Sequence, residues 1–259
     1  MIFIQKEDYV LINPMDLTGK HIIVTGASSG IGRSTCIQAS KLGAKVTLIA
    51  RNEEKLKETL SLMEENHHKY FVFDLNETEK IEQLVSNIVD SVGMIDGLVH
   101  CAGLGLNRPI KLAKPDFVEQ VTRINYFSFV ELIRNVSNKK RSNNGASFIG
   151  ISSVAAVHGN KTQGVYSASK GAMNSIVHAF AKELAPRDIR VNTIAFGMVE
   201  TDMYKGFLES GGNNEELLQD QYLGIIPVEY AGNAICFLLS DVSKYITGGT
   251  LNYDAGDLS

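Results

Sequence analysis

The chain reads His21-Ile-Ile-Val-Thr-Gly26-Ala-Ser-Ser-Gly30-Ile-Gly32 near its amino end, an apolar run followed by three glycines. The run is β-branched, which is typical of a buried parallel strand, and helically spaced apolar residues follow it. A glycine turn between strand and helix lets backbone N–H groups approach a pyrophosphate, which the helix dipole also attracts. The glycine order differs from the usual G-x-G-x-x-G. We interpret the stretch as a nucleotide-binding turn; a generic glycine-rich loop is the alternative.

The next apolar run, residues 45–50, ends at Ala50 and is followed by Arg51 and Asn52. Folds that select NAD place an acidic side chain near this strand end, on the ribose 2′-hydroxyl. Here the acid is absent, and an arginine offers a 2′-phosphate a charge-assisted hydrogen bond. Ser28 could add a hydroxyl. The pattern predicts NADP(H) rather than NAD(H), unless Arg51 is merely a solvated residue at a helix start.

Strand-like and helical patterns alternate along the whole chain. This alternation predicts an α/β fold, a single-domain doubly wound (Rossmann) parallel sheet of about seven strands with helices on both faces. The predicted strands are 21–25, 45–50, 69–73, 97–101, 147–152, 189–195 and 250–253. The predicted helices are 31–42, 53–65, 77–92, 115–137, 165–184, 201–209 and 228–240.

A tyrosine and a lysine lie four residues apart in Tyr166-Ser-Ala-Ser-Lys170, and Ser153 precedes the tyrosine by thirteen positions. Residues at i and i+4 share one face of a helix, and a nearby cation favours the tyrosinate. A serine hydroxyl from a neighbouring strand could hold a substrate oxygen. The trio predicts a site of proton transfer for an alcohol or a carbonyl. An ordinary surface helix is the alternative.

In these features the chain resembles a classical short-chain dehydrogenase/reductase over residues 16–256. The resemblance rests on Thr25-Gly-x-x-x-Gly-Ile-Gly32, Asp74-Leu75, Ala102-Gly103, Asn125, Ser153, Tyr166-x-x-x-Lys170 and Gly197-x-x-x-Thr201. It implies that Tyr166 is the acid/base, that Ser153 holds the substrate oxygen, and that Lys170 lowers the tyrosine pKa and binds the nicotinamide ribose. It further implies that the backbone carbonyl of Asn125 holds a water of the proton relay.

The resemblance also implies a set of cofactor-binding residues, with Asp74 facing the adenine and Val199 and Thr201 holding the nicotinamide carboxamide. The set is Gly26, Ser28, Ser29, Gly30, Ile31, Gly32, Arg51, Asn52, Asp74, Leu75, Cys101, Ala102, Gly103, Tyr166, Lys170, Gly197, Val199 and Thr201.

Three positions depart from the family pattern. The usual Asn-Asn-Ala-Gly is His100-Cys101-Ala-Gly, the usual Pro-Gly is Phe196-Gly, and the usual Asp-Gly-Gly is Asp-Ala255-Gly. Cys101 loses the hydrogen bonds by which the second asparagine braces the sheet. None of these positions carries a reacting atom, so we expect activity to survive and stability to differ.

Charge and composition limit the kinds of partner, location and metal site that we expect. A formal charge of −4 over 259 residues gives no reason to expect nucleic acid. No apolar stretch approaches the ~18 residues of a membrane span, and the apolar run at the amino end is too short for us to expect a signal sequence. Three scattered cysteines indicate reduced thiols and a cytoplasmic protein, and Cys101 lacks an evident base partner. The six histidines lack metal-site spacing, although His158 could line the substrate mouth.

Residues outside the motifs carry further expectations. Residues 1–14 form an apolar amino-terminal extension that we expect to pack on the domain, residues 15–259, or on a neighbouring subunit. Residues 202–226 occupy the place of the family's substrate lid, with a glycine-rich hinge at 211–214. A stripe of small residues along the Tyr166 helix, beginning at Ala168, favours a homodimer or homotetramer, unless the stripe faces its own sheet.

The substrate stays open at this point. The overall pattern is most similar to 3-oxoacyl-acyl-carrier-protein reductases, which bind an acidic carrier through basic residues, and Arg187 and the Lys139-Lys-Arg141 loop fall in comparable places. A sugar, sterol, polyketide or other small ketone is the alternative substrate. A non-catalytic NADP(H)-binding regulatory protein and a nucleotide-sugar epimerase or dehydratase are alternatives of other classes.

Overall fold

Seven parallel strands form one sheet in the computed structural model, which describes residues 13–209 and 221–257. They are β1 His21–Thr25, β2 Lys45–Ala50, β3 Lys69–Val72, β4 Ile95–His100, β5 Ser142–Ser153, β6 Arg190–Phe196 and β7 Thr250–Tyr253. Their order across the sheet is β3-β2-β1-β4-β5-β6-β7, and each neighbouring pair is parallel. The predicted doubly wound α/β fold is confirmed.

Helices connect the strands on both faces of the sheet. They are α1 Gly30–Lys41, α2 Glu53–Ser61, α3 Ile81–Val92, α4 Pro115–Thr122, α5 Ser128–Val136, α6 Ala155–His158, α7 Gly164–Leu184, α8 Asp202–Glu209 and α9 Val228–Leu239. Residues 1–12 of the predicted extension and residues 210–220 of the predicted lid, including its hinge at 211–214, lie outside the described residues.

The central strands are buried on both faces, because successive side chains point to opposite sides of the sheet and helices cover both sides. In β1, Ile22 and Val24 pack into a cluster with α1 and α9, whereas Ile23 packs into a second cluster with α3, α5 and α7. All five residues of β1 are buried. The carboxyl ends of these parallel strands consequently meet at one edge, where an open sheet of this kind binds ligands.

Two predicted helices differ from the observed ones. The helix predicted over 53–65 ends at Ser61, because Glu64 N donates to the Ser40 hydroxyl at 3.1 Å and the Asn66 side chain donates to the Gly43 carbonyl at 2.8 Å. Such contacts between side chain and backbone compete with helical hydrogen bonding. The helix predicted over 115–137 is divided by a π-helical turn, Arg123–Phe127, between α4 and α5.

Candidate active site

The glycine turn after β1 is shaped by close backbone contacts. Gly26 has a φ of +66°, and a Cβ there would lie 2.8 Å from the backbone nitrogen of Ala102. A Cβ on Gly32 would lie 2.3 Å from the carbonyl oxygen of Gly26. Ser29 caps α1 without a side-chain hydrogen bond, so the first-turn N–H groups, which have no partner within a helix, face a potential ligand. This cradle suits the pyrophosphate of a dinucleotide.

A cleft of about 1110 Å³ extends from this turn along the carboxyl edge of the sheet. Every residue that the sequence analysis assigns to the cofactor, from Gly26 to Thr201, lines the cleft, and so does Ser153. Residues from the beginning and the end of this set lie close together: a Cβ placed on Gly30 would lie 3.3 Å from Cγ2 of Thr201. Asn125 is the predicted site residue that does not line it.

The end of the cleft beside β2 and α2 carries two exposed basic side chains. Arg51 follows β2, and Lys55 lies one helical turn later in α2. The Asn52 side chain accepts a hydrogen bond from Lys55 N at 2.9 Å, so it caps the helix that presents both cations. Sequence reasoning missed Lys55, although its i,i+4 spacing from Arg51 was a usable signal.

Ser153 and Tyr166 meet where β5 ends beside α7. Both side chains line the cleft, and the Ser153 hydroxyl accepts a hydrogen bond from Ala155 N at 3.2 Å. Burial raises the pKa of Tyr166 above its usual value of 10.0, and the hydrogen bond with Ser153 opposes the rise. Tyr166 is therefore a protonated phenol at neutral pH, beside a second hydroxyl group.

The Lys170 side chain is buried, and a backbone carbonyl holds its ammonium group. Its ammonium nitrogen donates to the carbonyl of Ile151 at 2.6 Å and lies 5.8 Å from the centre of the Tyr166 ring. Burial lowers the pKa of Lys170 to about 8. Burial raises the pKa of Tyr166 and the cation donates to Ile151, so the lowering of the Tyr166 pKa by Lys170 stays a prediction.

Asn125 is completely buried in the π-helical turn. Its side-chain oxygen accepts from Leu104 N at 2.7 Å, and its nitrogen donates to the Leu104 carbonyl at 3.2 Å and to the Ser169 hydroxyl at 2.9 Å. The side chain thus ties the segment after β4 to α7, next to Lys170. The water-holding role of its backbone carbonyl stays a prediction.

His100, at the first departure from the family pattern, belongs to a directed chain of hydrogen bonds. Thr25 Oγ1 accepts from Ala102 N at 3.2 Å, so its own hydrogen is free to donate to His100 Nδ1 at 3.0 Å. His100 Nε2 lies 3.3 Å from the hydroxyl of Ser128, which itself donates to the Ile124 carbonyl at 2.5 Å. The ring is therefore neutral, with its proton on Nε2. Burial, with the charge of Lys170, lowers the pKa of His100 to about 3.

Cys101 presents a neutral thiol to the cleft. Burial raises its pKa to about 12, against an opposing hydrogen bond with Thr35. The three cysteines are free, and burial raises the pKa of Cys36 and Cys236 as well. A thiol that stays protonated is a poor nucleophile, which agrees with the expectation that Cys101 is not catalytic.

The loop after β6 closes the far wall of the cleft. A Cβ on Gly197 would lie 2.6 Å from Oε1 of Gln221 and 2.9 Å from the carbonyl oxygen of Asp254. Ala255, the third departure, has a φ of +56°, a left-handed conformation that favours glycine. Sequence reasoning missed Gln221, because nothing near it in the chain indicates a contact 23 residues away.

The substrate end combines apolar and polar side chains. Leu104 and Met203 line the cleft together with Asn160, Gln163 and Asp257. His158, which was expected to line the mouth, is not among the lining residues; its Nε2 lies 2.7 Å from the Asp257 carboxylate instead. The histidine thus holds an acidic group at the mouth.

The basic residues proposed to meet a carrier protein lie elsewhere. Arg187 donates to the carbonyls of Ser137 and Ser142, both at 2.6 Å, and Arg141 pairs with Glu82 at 3.3 Å. These residues surround the amino end of β5, whereas the cleft lies at the carboxyl ends. Within one chain they are on the opposite edge of the sheet from Tyr166.

Within residues 13–209 and 221–257, no group of three or more His, Cys, Asp or Glu side chains could hold a metal ion. None of the helices described here is both long and apolar enough to cross a membrane.

Comparisons with known proteins agree with this geometry. A family model described as enoyl-(acyl carrier protein) reductase matches residues 26–257. The 3-oxoacyl-(acyl-carrier-protein) reductase FabG of Rickettsia felis is 34% identical, over 94% of this chain and 99% of that protein. L-xylulose reductase of Caenorhabditis elegans is 32% identical, over 93% of this chain and 96% of that protein.

Solved structures show the same architecture. A dehydrogenase/reductase from Sinorhizobium meliloti 1021 superimposes with a TM-score of 0.86 at 26% identity, over 95% of this chain and 98% of that one. A blue fluorescent protein from a metagenomic library, in complex with NADPH, superimposes with a TM-score of 0.87 at 25% identity, over 94% of this chain and all of that one.

Proposed function

Because this chain belongs to the short-chain dehydrogenase/reductase family of oxidoreductases, we propose that it interconverts a carbonyl and a secondary alcohol with NADP(H). One observation carries the proposal: the Ser153 and Tyr166 side chains share a cleft with a glycine cradle that fits a dinucleotide. Proton chemistry and dinucleotide binding are thereby combined in one site.

The cofactor is proposed to lie along the carboxyl edge of the sheet. The first-turn amides of α1 hold its pyrophosphate, Asp74 faces its adenine, and the loop from Gly197 to Thr201 holds its nicotinamide. Arg51 and Lys55 supply positive charge for a 2′-phosphate, which favours NADP(H) over NAD(H). When bound, the cofactor supplies hydride for reduction or accepts it in oxidation.

The protein's own part is proton transfer and electrostatic stabilisation. In the reducing direction Tyr166 donates its phenolic proton to the substrate oxygen, and Ser153 donates a hydrogen bond to the same oxygen as negative charge develops. Lys170, with a pKa of about 8, places a positive charge beneath this site, where its ammonium group donates to the Ile151 carbonyl. Asn125 supports this arrangement through its bonds to Leu104 and Ser169.

Two substrate classes are supported by different observations. Similarity to the FabG proteins supports a 3-oxoacyl thioester, and Leu104 and Met203 supply an apolar wall for an acyl chain. Asn160, Gln163 and the Asp257 carboxylate support a hydroxylated ketone such as L-xylulose, the substrate named for another relative.

A symmetric homo-oligomer is part of the proposal. Of the four small residues in the stripe, Ala168, Ser175 and Ala179 are exposed and Ala172 is half-buried, whereas Met173 and Val177 face the sheet. The three exposed residues permit close approach of a second copy. Analytical ultracentrifugation should give the mass of a dimer or a tetramer, and a monomer would contradict this point.

Loss of NADPH absorbance over a panel of carbonyls tests the reaction. The panel should contain a 3-oxoacyl thioester and L-xylulose, with NADH run in parallel and Tyr166→Phe as the variant. We expect turnover that requires both NADPH and Tyr166. Tight NADPH binding without turnover of any carbonyl would favour a non-catalytic binding protein instead.

A further inference from the structure

The side chain of Gln221 forms three hydrogen bonds at the wall of the cleft. Its Oε1 accepts from Met198 N at 2.7 Å, and its Nε2 donates to the Met198 carbonyl at 3.0 Å and to the Gly224 carbonyl at 2.7 Å. The residue is 2% exposed. One planar amide thus satisfies both backbone groups of Met198 and joins them to a segment 23 residues later.

The loop that Gln221 binds has other supports on both sides. Ile226 N donates to the Met198 carbonyl at 3.0 Å, and Glu200 N donates to the Ile226 carbonyl at 2.9 Å. On the other side, Gly197 N donates to the Tyr253 carbonyl at 3.3 Å. The Gln221 amide fills the place where residue 197 lacks a side chain, since a Cβ there would lie 2.6 Å from Oε1.

We propose that Gln221 is a positioning residue, which sets the distance and orientation of the Gly197–Thr201 loop toward the reactive ring of the cofactor. The inference rests on the proposed function, in which this loop holds the nicotinamide. Gln221 acts through the backbone of Met198, next to Val199 in the cleft wall. It acts on the nicotinamide half of the site, because the adenosine half is built from α1, β2 and Asp74.

The donors and the acceptor of the Gln221 amide match the backbone groups that surround it. Met198 offers one N–H donor and one carbonyl acceptor, and Gly224 offers a second acceptor. Among uncharged side chains, an amide supplies an acceptor and two donors together. Gln221→Met keeps the length and the volume but removes the hydrogen bonds to Met198 N and to the Gly224 carbonyl, whereas the Met198 carbonyl keeps its bond from Ile226 N. Gln221→Glu keeps an oxygen that can accept from Met198 N. Its second carboxylate oxygen would face the carbonyls of Met198 and Gly224, to which it cannot donate.

The test compares two ligands on each variant. NADPH contacts both halves of the site, whereas adenosine 2′,5′-bisphosphate contacts only the adenosine half. We expect Gln221→Met to weaken NADPH binding on the order of tenfold, to lower kcat, and to change the fluorescence of bound NADPH. Affinity for adenosine 2′,5′-bisphosphate should stay within about twofold of that of the wild type. Gln83→Met, on the exposed face of α3, is the matched control and should leave all these quantities unchanged.

The outcomes separate the two proposals. If Gln221→Met loses affinity equally for both ligands, Gln221 only stabilises the fold. If its NADPH affinity and kcat are unchanged, the loop does not need the Gln221 hydrogen bonds. Either result overturns this inference and leaves the proposed function intact. A wild-type protein that binds no dinucleotide would overturn the proposed function as well. If Gln221→Met does not fold, Gln221→Glu decides the question with the same pair of ligands.

Discussion

The ammonium nitrogen of Lys170 donates a hydrogen bond to the carbonyl oxygen of Ile151 at 2.6 Å, in a position from which only 4% of the residue is exposed. Ile151 lies in β5 two residues before Ser153, so the lysine packs under the end of the strand that supplies the serine. Burial of the cation costs solvation free energy, and this cost is the reason that its pKa falls to about 8.

Lys170 should make the stability of the ligand-free protein depend on pH. Its folded pKa of about 8 lies below the usual 10.5, so the unfolded chain holds the proton between these values and stability rises with pH in that window. Between pH 8 and pH 10 the gain should be about 2 to 3 kcal/mol. Urea unfolding of the wild type and of Lys170→Met measures it. Equal slopes in the two proteins would contradict the expectation.

His100 should dominate the loss of stability in acid. Its folded pKa of about 3 lies below the usual 6.5, so its contribution is complete above pH 6.5 and is lost as the pH falls toward 3. Between pH 6.5 and pH 4.5 the loss should be about 2 to 3 kcal/mol. His100→Asn should lose less stability over this interval, whereas His178→Asn, at an exposed position of α7, should behave as the wild type.

Ala255→Gly should stabilise the protein. The left-handed conformation at Ala255 strains an L-residue with a Cβ, and glycine adopts it freely at an entropic cost to the unfolded chain. We expect a net gain of about 0.5 to 1 kcal/mol, seen as a rise in Tm of about 1 to 4 °C. Ala179→Gly on the exposed face of α7 should have the opposite sign. A lower Tm for Ala255→Gly would argue against the strain.

Arg51→Asp should exchange the cofactor preference. An acidic side chain at the end of β2 repels a 2′-phosphate and can accept a hydrogen bond from a free 2′-hydroxyl. We expect the Kd of NADPH to rise at least about tenfold, with a smaller change for NADH, and Lys55→Ala to weaken NADPH binding to a lesser degree. Lys139→Asp makes the same charge change on the opposite edge of the sheet and serves as the control. Unchanged NADPH affinity in Arg51→Asp would refute the assignment.

Most elements of the fold follow from local patterns. The strand residues Ile22 and Ile23 are both apolar because both faces of the sheet are covered, and this makes a buried parallel strand recognisable from its sequence. The π-helical turn at Arg123–Phe127 was not recognisable, because no glycine or proline marks it and its neighbours read as one helix. The turn matters to the site, since it carries Asn125.

The motif residues of the site were predictable for a similar reason. Gly26, Gly30 and Gly32 meet a local backbone requirement, and Tyr166 and Lys170 share one helix face, so both features are recognisable within a few residues of sequence. The residues that support them depend on distant partners. His100 contacts Thr25 across 75 residues, and Gln221 contacts Met198 across 23.

The one-dimensional pattern therefore specified the sheet, the glycine cradle and the candidate pair Ser153 and Tyr166, because secondary structure and binding turns arise from periodicities and backbone freedom that neighbouring residues carry. Tertiary packing alone placed the Lys170 ammonium group against the Ile151 carbonyl and brought Asp257 to His158 at the mouth of the cleft. It also buried His100 as a neutral ring that is hydrogen bonded to Thr25. Burial and hydrogen bonding of such groups are set by the elements that fold against them, so they exist only once the sheet is assembled.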